Sequence, residues 1–171
     1  MALTARASCD PATGVHLAGH VLASGIIAPG STVAGFWPLP GEIDLRPLLL
    51  ALAGRGCKLL LPETTLQGHK LVFRRWRWGK PLVPGRFGTW HPLGEAAAPD
   101  VVLAPMLAWD GQGRRLGYGG GYYDRTLGGL PGALRLGCAF AGQFVAVVPA
   151  GPGDQRLDAV ATELGVTRFG Q

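Results

Sequence analysis

The chain has 171 residues, which fits one domain, and 47% of them are hydrophobic, so it can bury a sizeable core and we do not expect a disordered chain. The net charge is +5, but the basic residues form no dense stripe, so we expect an anionic small-molecule ligand and no nucleic-acid partner. An arginine-rich genome explains the charge equally well. The sequence contains no apolar leader and no stretch of 18 apolar residues, so we expect a cytoplasmic protein with no membrane partner. We also expect a monomer.

The first half of the chain predicts alternating helices and strands. Residues 10–25 begin with an Asp-Pro pair and end at a glycine, which predicts an amphipathic helix. Ser31–Trp37 predicts a short strand, residues 44–56 predict a helix capped by aspartate and closed by glycines, and Cys57–Pro62 predicts a buried strand. This order is a βαβ unit, which implies a parallel pair of strands.

The second half predicts further strands around a glycine-rich loop. His69–Trp76 alternates apolar and basic residues, as a strand with one solvent-exposed face does. Residues 77–99 are rich in proline and glycine and predict irregular structure. Asp100–Asp110 and Ala133–Phe140 predict buried strands, and residues 121–129 have the length of a short helix. The C-terminal tail predicts a loop followed by a turn or a short strand.

These elements indicate an α/β protein with a mostly parallel sheet. Open α/β sheets bind ligands at the carboxyl ends of their strands. Asp110 ends one predicted strand, and the corner at Trp37 and Pro38 ends another. We therefore expect the two loops that follow these strands to converge on one cleft.

Residues 113–125, GRRLGYGGGYYDR, hold five glycines, three arginines and three tyrosines. Consecutive glycines let backbone N–H groups face an anion, and a helix that starts just after them adds its dipole. Arg114 and Arg115 can donate charge-assisted hydrogen bonds to phosphate, and Asp124 suits a magnesium ion beside it. The motif matches neither a P-loop nor a dinucleotide fingerprint. A flexible hairpin between strands is the structural alternative.

The segment RRLGYGGGYYDR resembles the signature of the 5-formyltetrahydrofolate cyclo-ligase family. The segments FWPLPGEIDLRPLL, LVFRRW, APMLAWD and VPAGPGDQRLDAVATELGV resemble other family segments in the same order, so the resemblance runs from about residue 33 to residue 166. It implies one domain over residues 1–171. The implied fold is a three-layer α/β/α sandwich with a mostly parallel sheet, resembling the sugar-phosphate isomerase and CoA-transferase type.

The resemblance also implies the reaction, which is ATP-dependent closure of 5-formyltetrahydrofolate to 5,10-methenyltetrahydrofolate with release of ADP and phosphate. The implied ATP-binding residues are Arg115, Leu116, Gly117, Tyr118, Gly119, Gly120, Gly121, Tyr122 and Tyr123. The implied folate-binding residues are Trp37, Glu42, Tyr118, Gly119, Gly120, Gly121 and Tyr122. Arg115 and Tyr122 are the implied catalytic residues. Mg²⁺ would be held by Asp124 and Asp154, and Asp158, four residues further along the chain, is the alternative to Asp154.

Each of these assignments has a structural alternative. Trp37 suits a core aromatic position, Glu42 suits a solvated carboxylate before a helix, and Asp154 suits a turn. The family's N-terminal basic helix, with its lysine motif, has no counterpart except Arg6, so we expect weaker ATP binding. His91 stands where many relatives carry glutamate before a proline, and a plain loop histidine is the favoured interpretation.

Two other functions stay open at this point. The first is a non-catalytic folate-binding or regulatory relative on the same fold, which the missing basic motif favours. The second is another small-molecule transferase on that fold. The intact segment GYGGGYYD favours the enzyme.

Overall fold

The computed structural model describes residues 2–170, with the side chains of residues 5–170. The helices are α1 (Ala2–Ala7), α2 (Gly14–Ser24), α3 (Arg46–Gly54) and α4 (Tyr122–Gly128). The strands are β1 (Thr32–Ala34), β2 (Lys58–Glu63), β3 (Val72–Trp76), β4 (Val83–Pro84), β5 (Trp90–His91), β6 (Val101–Ala104), β7 (Ala108–Trp109), β8 (Arg115–Leu116), β9 (Leu134–Cys138), β10 (Ala159–Thr162) and β11 (Gly165–Arg168). No helix among the described residues is long and apolar enough to cross a membrane.

A seven-stranded sheet organises the chain in the order β11–β10–β9–β6–β1–β2–β3. The central strands, from β10 to β2, pair in parallel, and β11 and β3 add antiparallel strands at the two edges. The parallel pair β1–β2 flanks α3 in the chain, so the predicted βαβ unit is confirmed. The prediction of a mostly parallel α/β sheet is confirmed as well.

Apolar side chains alternate between the two faces of the sheet and build a core on each. Val33 and Leu61 point to the face that α2 and α3 cover, where Leu17, Leu49 and other helix residues pack. Their neighbours in the strands point the other way, into clusters that α4 and the C-terminal segment complete. Helices therefore lie on both faces, as a three-layer sandwich requires.

Local signals place the helix ends close to where the sequence predicts them. The Asp10 carboxylate accepts from the Ala12 N–H at 3.0 Å, but the first turn is a 3-10 turn and α2 begins at Gly14. Gly25 ends α2 with a φ of 67°, which a side chain would disfavour. Asp44 caps α3 by accepting from the Arg46 N–H at 3.0 Å.

The predicted strand Asp100–Asp110 is wrong as a single element. Strand β6 ends at Ala104 and Pro105 follows, whose nitrogen cannot donate to a ladder; the chain then turns before β7. Residues 77–99 are mostly irregular, as predicted, but also form the small hairpin of β4 and β5. The tail predicted as a loop and then a turn or a short strand forms a loop followed by strand β10, and β11 follows directly after it.

Candidate active site

The site lies where the strand order reverses. Strand β1 has β2 on one side and β6 on the other, so the loops after β1 and β6 leave adjacent strands at their carboxyl ends. Such a switch point opens a crevice in α/β sheets. The loop after β1 carries Trp37 and Glu42, and the chain after β6 leads through the β7–β8 hairpin to the glycine loop, residues 117–121.

The two loops meet through the carboxylate of Glu42. The Tyr118 hydroxyl donates to Glu42 Oε2 at 2.8 Å, and the Leu39 N–H donates to Glu42 Oε1 at 2.6 Å. Glu42 is only 6% exposed, and this burial raises its pKa although both hydrogen bonds and the positive charge of Arg6 oppose the rise. The expected convergence of the two loops is therefore confirmed, and the solvated alternative for Glu42 is wrong.

Helix α1 reaches the same corner through Arg6. Its guanidinium donates to the Tyr118 hydroxyl and lies 5.5 Å from the centre of the Tyr118 ring, a cation–π arrangement. Burial and the neighbouring Glu42 raise the pKa of the Tyr118 hydroxyl, so the phenol stays protonated and keeps donating. The sequence identified Arg6 only as a remnant of a basic helix, because nothing local links residue 6 to residue 118.

The glycine loop needs glycine at particular positions. Gly119 has a φ of 97° and Gly121 a φ of 70°, both in the region that side chains disfavour. A Cβ on Gly120 would lie 2.9 Å from Cδ2 of Tyr122. The Gly120 carbonyl accepts from Arg125 Nη2 at 2.7 Å, which ties the loop to α4. Because α4 has only seven residues, its dipole adds little to anion binding.

Arg115 and Asp124 form an ion pair between β8 and the first turn of α4. Arg115 Nη2 lies 2.8 Å from Asp124 Oδ1, which also accepts from the Gln155 N–H at 3.0 Å. The Arg115 side chain is 4% exposed, and its Nε has no hydrogen-bond partner among the described residues. Burial lowers the pKa of Arg115, while Asp124 opposes the shift. A buried guanidinium with an unused N–H suits a further anionic partner.

The candidate metal ligands differ in how free their oxygens are. Asp154 is exposed and its Oδ2 accepts from the Gly151 N–H at 2.8 Å, which is the predicted turn geometry. Asp158 instead holds the sheet, because its Oδ2 accepts from the Arg135 N–H at 2.8 Å. Within residues 2–170, no three His, Cys, Asp or Glu side chains group as metal ligands. Any cation here would therefore need oxygens from a bound phosphate.

Asp110 organises the hairpin that leads into the glycine loop. Its carboxylate is fully buried and accepts from three backbone N–H groups, those of Gln112, Arg114 and Val148, at 2.8–3.1 Å. Arg114 Nε also donates to Asp110 Oδ2 at 2.8 Å. Asp110 engages Nε of Arg114, which favours a structural role for Arg114, whereas Arg115 Nη1 lies beside Gly117 of the loop; a contact between Arg114 and phosphate stays a prediction.

The remaining predicted site residues lie around these pairs. The Trp37 ring packs edge-on against Trp76, with centres 5.9 Å apart, and under Arg46 at 5.7 Å, so it is half-buried in the α3 face of the core. The Tyr122 hydroxyl donates to the Thr65 carbonyl at 2.8 Å. The aromatic ring of Tyr123 lies 5.8 Å from the Arg115 guanidinium. Leu116 is 40% exposed at the start of the loop, and Gly117 follows it.

His91, whose role the sequence left open, lies beside an ion pair on the β2–β3 edge. Its Nε2 is 3.7 Å from Glu63 Oε2, while Arg74 Nη2 is 3.0 Å from Glu63 Oε1. Its Nδ1 lies 2.9 Å from the Pro92 carbonyl oxygen. These contacts are structural, but His91 lies in strand β5, paired with Val83, so the interpretation of a loop histidine is wrong about its position.

Comparison with known proteins places this geometry in a family. A sequence model of the 5-formyltetrahydrofolate cyclo-ligase family matches residues 8–163. The chain is 39% identical over 119 residues to the 5-formyltetrahydrofolate cyclo-ligase of Mycolicibacterium smegmatis, covering 61% of this chain and 58% of the relative. It is 33% identical over 105 residues to that of Haemophilus influenzae, covering 56% and 54%. The chain thus spans about half the length of the curated relatives it matches.

A solved structure agrees with these sequence comparisons over nearly the whole chain. The NMR structure of Aquifex aeolicus 5,10-methenyltetrahydrofolate synthetase superposes with a TM-score of 0.78 at 29% sequence identity. The match covers 99% of this chain and 90% of that one. The family model covers most of the chain and the solved structure agrees with it, and the chain belongs to the 5-formyltetrahydrofolate cyclo-ligase family.

Proposed function

We propose that this chain catalyses the ATP-dependent cyclisation of 5-formyltetrahydrofolate to 5,10-methenyltetrahydrofolate, with release of ADP and phosphate. The observation that carries the proposal is the contact between the two loops at the β1–β6 switch point. It brings Glu42, a buried carboxylate, next to the glycine loop, which directly follows the strand that carries the buried cation Arg115. Membership of the family supports the same reaction.

The chemistry divides into two steps. The N5-formyl oxygen attacks the γ-phosphorus of ATP, an O–P bond forms, and the bond to ADP breaks. N10 then attacks the formyl carbon, the bond from that carbon to the phosphorylated oxygen breaks, and phosphate and the N10 proton leave. Such phosphoryl transfer needs positioning and charge neutralisation, and no covalent protein nucleophile.

The residues of the site divide into those that bind phosphate and those that bind folate. Arg115 offers its unused Nε–H, and the backbone N–H groups of the glycine loop supplement it. Glu42 would accept hydrogen bonds from the polar edge of the pterin once Tyr118 moves aside. Tyr122 holds the loop in place through its hydrogen bond to Thr65, so its contribution is positioning. Tyr118 and Tyr123 supply aromatic surface.

Magnesium would be held by Asp124 and Asp154 together with phosphate oxygens. Asp124 Oδ2 and Asp154 Oδ1 accept no hydrogen bond from the described residues, and carboxylate oxygens are the ligands this ion prefers. The donor set therefore fits, although Arg115 holds the other oxygen of Asp124. The ion would supply charge neutralisation at the transferring phosphate.

A non-catalytic folate-binding relative is the second candidate. Both oxygens of Glu42 are engaged by groups of the chain itself, and Asp124 is paired with Arg115. A protein that only binds folate and catalyses no reaction could keep the Glu42 hydrogen bonds and the Asp124–Arg115 ion pair intact.

One assay separates the two candidates. The wild type is mixed with 5-formyltetrahydrofolate and Mg-ATP, and the absorbance of the methenyl product is followed. We expect product formation that requires magnesium. Asp124→Asn removes a carboxylate beside the phosphate, so its activity should fall at least about tenfold and its magnesium requirement should rise.

The matched control is Asp10→Asn, which removes a carboxylate that accepts from the Ala12 N–H and not from the loop, while keeping a good helix cap. It should retain wild-type activity. Folate binding without any methenyl absorbance in the wild type would favour the non-catalytic relative. Unchanged activity and magnesium dependence in Asp124→Asn would contradict the metal assignment.

We further propose that the protein acts as a cytoplasmic monomer with one domain. Arg6, Glu42 and Tyr118 contact one another within a single chain, so a monomer is enough to build this corner of the site. Light scattering at micromolar concentration would measure the mass, and a mass twice that of the chain would contradict this proposal.

A further inference from the structure

A second concave surface adjoins the glycine loop at Arg125. It is a cleft of about 640 Å³ between residues 65–72 and Arg125 of α4, here called the basic cleft. Its volume lies within the range of small-molecule sites, about 300–1,000 Å³. Arg125 joins the cleft to the loop, because its Nε donates to the His69 carbonyl at 3.0 Å and its Nη2 to the Gly120 carbonyl at 2.7 Å.

The cleft carries positive charge that the described chain does not neutralise. Lys70 and Arg125 line it, and neither has a carboxylate within 4.0 Å among the described residues. No acidic side chain contributes to its lining. The Lys70 ammonium lies beside Gly129, one turn along α4 from Arg125, so the two cations are set side by side along the helix. Two adjacent unpaired cations favour a ligand with more than one negative charge.

The walls of the cleft are fastened to the helix that carries the glycine loop. The Tyr122 hydroxyl donates to the Thr65 carbonyl at 2.8 Å, and the Leu71 N–H donates to Thr126 Oγ1 at 3.0 Å. With the bond from Arg125 to His69, consecutive turns of α4 hold the segment in place. The cleft is therefore formed before any ligand arrives, which lowers the entropic cost of binding.

The two ends of the proposed folate substrate indicate which anion would bind in the basic cleft. One end is the pterin with its formyl group, and the other is a glutamate with two carboxylates. The carboxylate of Glu42 repels the glutamate end, whereas Lys70 and Arg125 attract it. We propose that the basic cleft binds the glutamyl carboxylates of the folate substrate and that Lys70 is the residue that recognises them. This inference rests on the proposed function, because it deepens the substrate assignment of the same site.

The test compares two ligands that differ only in the glutamate, 5-formyltetrahydrofolate and 5-formyltetrahydropteroate. Binding of each to the wild type, Lys70→Met and Lys80→Met is measured by calorimetry. Lys80 is the matched control, since it is an exposed lysine outside the basic cleft. We expect Lys70→Met to weaken folate binding about tenfold, the factor that corresponds to about 1.4 kcal/mol, and to leave pteroate and ATP binding unchanged. Lys80→Met should change none of them.

Several outcomes would overturn the inference. Equal losses for both ligands, or no loss for either, would show that Lys70 does not recognise the glutamate. A selective loss of ATP affinity would assign the cleft to the nucleotide. Binding is measured without turnover, so a wild type that binds folate but forms no methenyl product contradicts the proposed activity and leaves this test intact. A wild type that binds no folate would overturn both.

Discussion

Two buried carboxylates near the glycine loop have pKa values shifted in opposite directions. Burial raises the pKa of Glu42. The hydrogen bonds from the Leu39 N–H and the Tyr118 hydroxyl, together with the charge of Arg6, act to lower this pKa but do not cancel the effect of burial. Burial also acts to raise the pKa of Asp110, but hydrogen bonds from three backbone N–H groups and from Arg114 outweigh it, so this pKa is lowered. The charged form of Asp110 is therefore stabilised and holds the surrounding turns in place. The charged form of Glu42 is destabilised by burial, so a ligand that donates hydrogen bonds to it would be favoured.

Replacing Glu42 with glutamine should change how stability depends on pH. The folded-state pKa of Glu42 lies above its ordinary value of 4.5, so the folded protein holds this proton more tightly than the unfolded chain does. The wild type should lose stability relative to Glu42→Gln as the pH rises from about 4.5 through the raised pKa. Each unit of elevation corresponds to about 1.4 kcal/mol. Urea unfolding of both proteins between pH 4 and pH 8 measures the difference.

The control for this prediction is Glu95→Gln, an exposed carboxylate beside the edge strand β3, where the Arg75 N–H donates to the Glu95 carbonyl. Its stability should follow that of the wild type across the same pH range. A difference between wild type and Glu42→Gln that stays constant with pH would show that Glu42 does not titrate above its ordinary range.

At the scale of elements, helix α2 carries two glycines in different surroundings. Gly14 lies in its first turn, and a Cβ there would be 1.9 Å from the Asp44 carbonyl oxygen. Gly19 lies in the middle of the helix, exposed, with no atom within 4 Å of where its Cβ would stand. Gly14 allows the start of α2 to pack directly against the backbone of Asp44, which precedes α3 and lies two residues after Glu42. Gly19 only weakens the helix.

Alanine at these two positions should therefore have opposite effects. Gly14→Ala should destabilise the protein by about 1–3 kcal/mol, because Asp44 must shift to make room for the methyl group. Gly19→Ala should stabilise it by about 0.5–1 kcal/mol, because alanine is the better helix former. Denaturant unfolding of both variants measures the free energies. Equal changes in the two variants would show that α2 and Asp44 do not approach this closely.

At the scale of the whole molecule, one face of the sheet carries the larger core and the other face carries the helix that supports the proposed binding surfaces. The face under α2 and α3 holds the larger core, which includes Leu52 of α3. The opposite face is covered by α4, whose Leu127 is fully buried among residues of β1, β2, β3 and β6. Because α4 also holds the glycine loop and the basic cleft, packing on this face positions both proposed binding surfaces.

Truncating one leucine on each face should separate stability from binding. Leu52→Ala and Leu127→Ala should each destabilise the protein by about 2–5 kcal/mol, since both leave a cavity in a close-packed layer. Only Leu127→Ala should also weaken ATP binding, because it loosens the helix behind the glycine loop. Thermal unfolding and calorimetric titration of both variants provide the measurements. A similar loss of ATP affinity in Leu52→Ala would show that the two faces are not independent.

Several features of the chain follow from patterns that lie close together in the sequence. The βαβ order of residues 31–62 is set by local apolar runs and by the Asp44 cap. The glycine loop is set by consecutive residues in one segment, and its resemblance to the family signature points to the same reaction that the family match supports. Pro105 is also a local signal, and it marks the break between β6 and β7. The apolar residues on both sides of it nevertheless predict one continuous strand.

By itself, the sequence determined the α/β class, the parallel βαβ core, the glycine loop and the family, because each depends on residues that are neighbours in the chain. Only the tertiary structure decided that Arg6 and Glu42 meet at Tyr118, that Arg114 serves Asp110, and that Asp158 serves the sheet. Most of these contacts join residues that are distant in sequence. Arg114, four residues from Asp110, is the exception, but the carboxylate it meets also accepts from the distant Val148 N–H. Hydrogen-bond partners chosen by folding leave no local pattern to read.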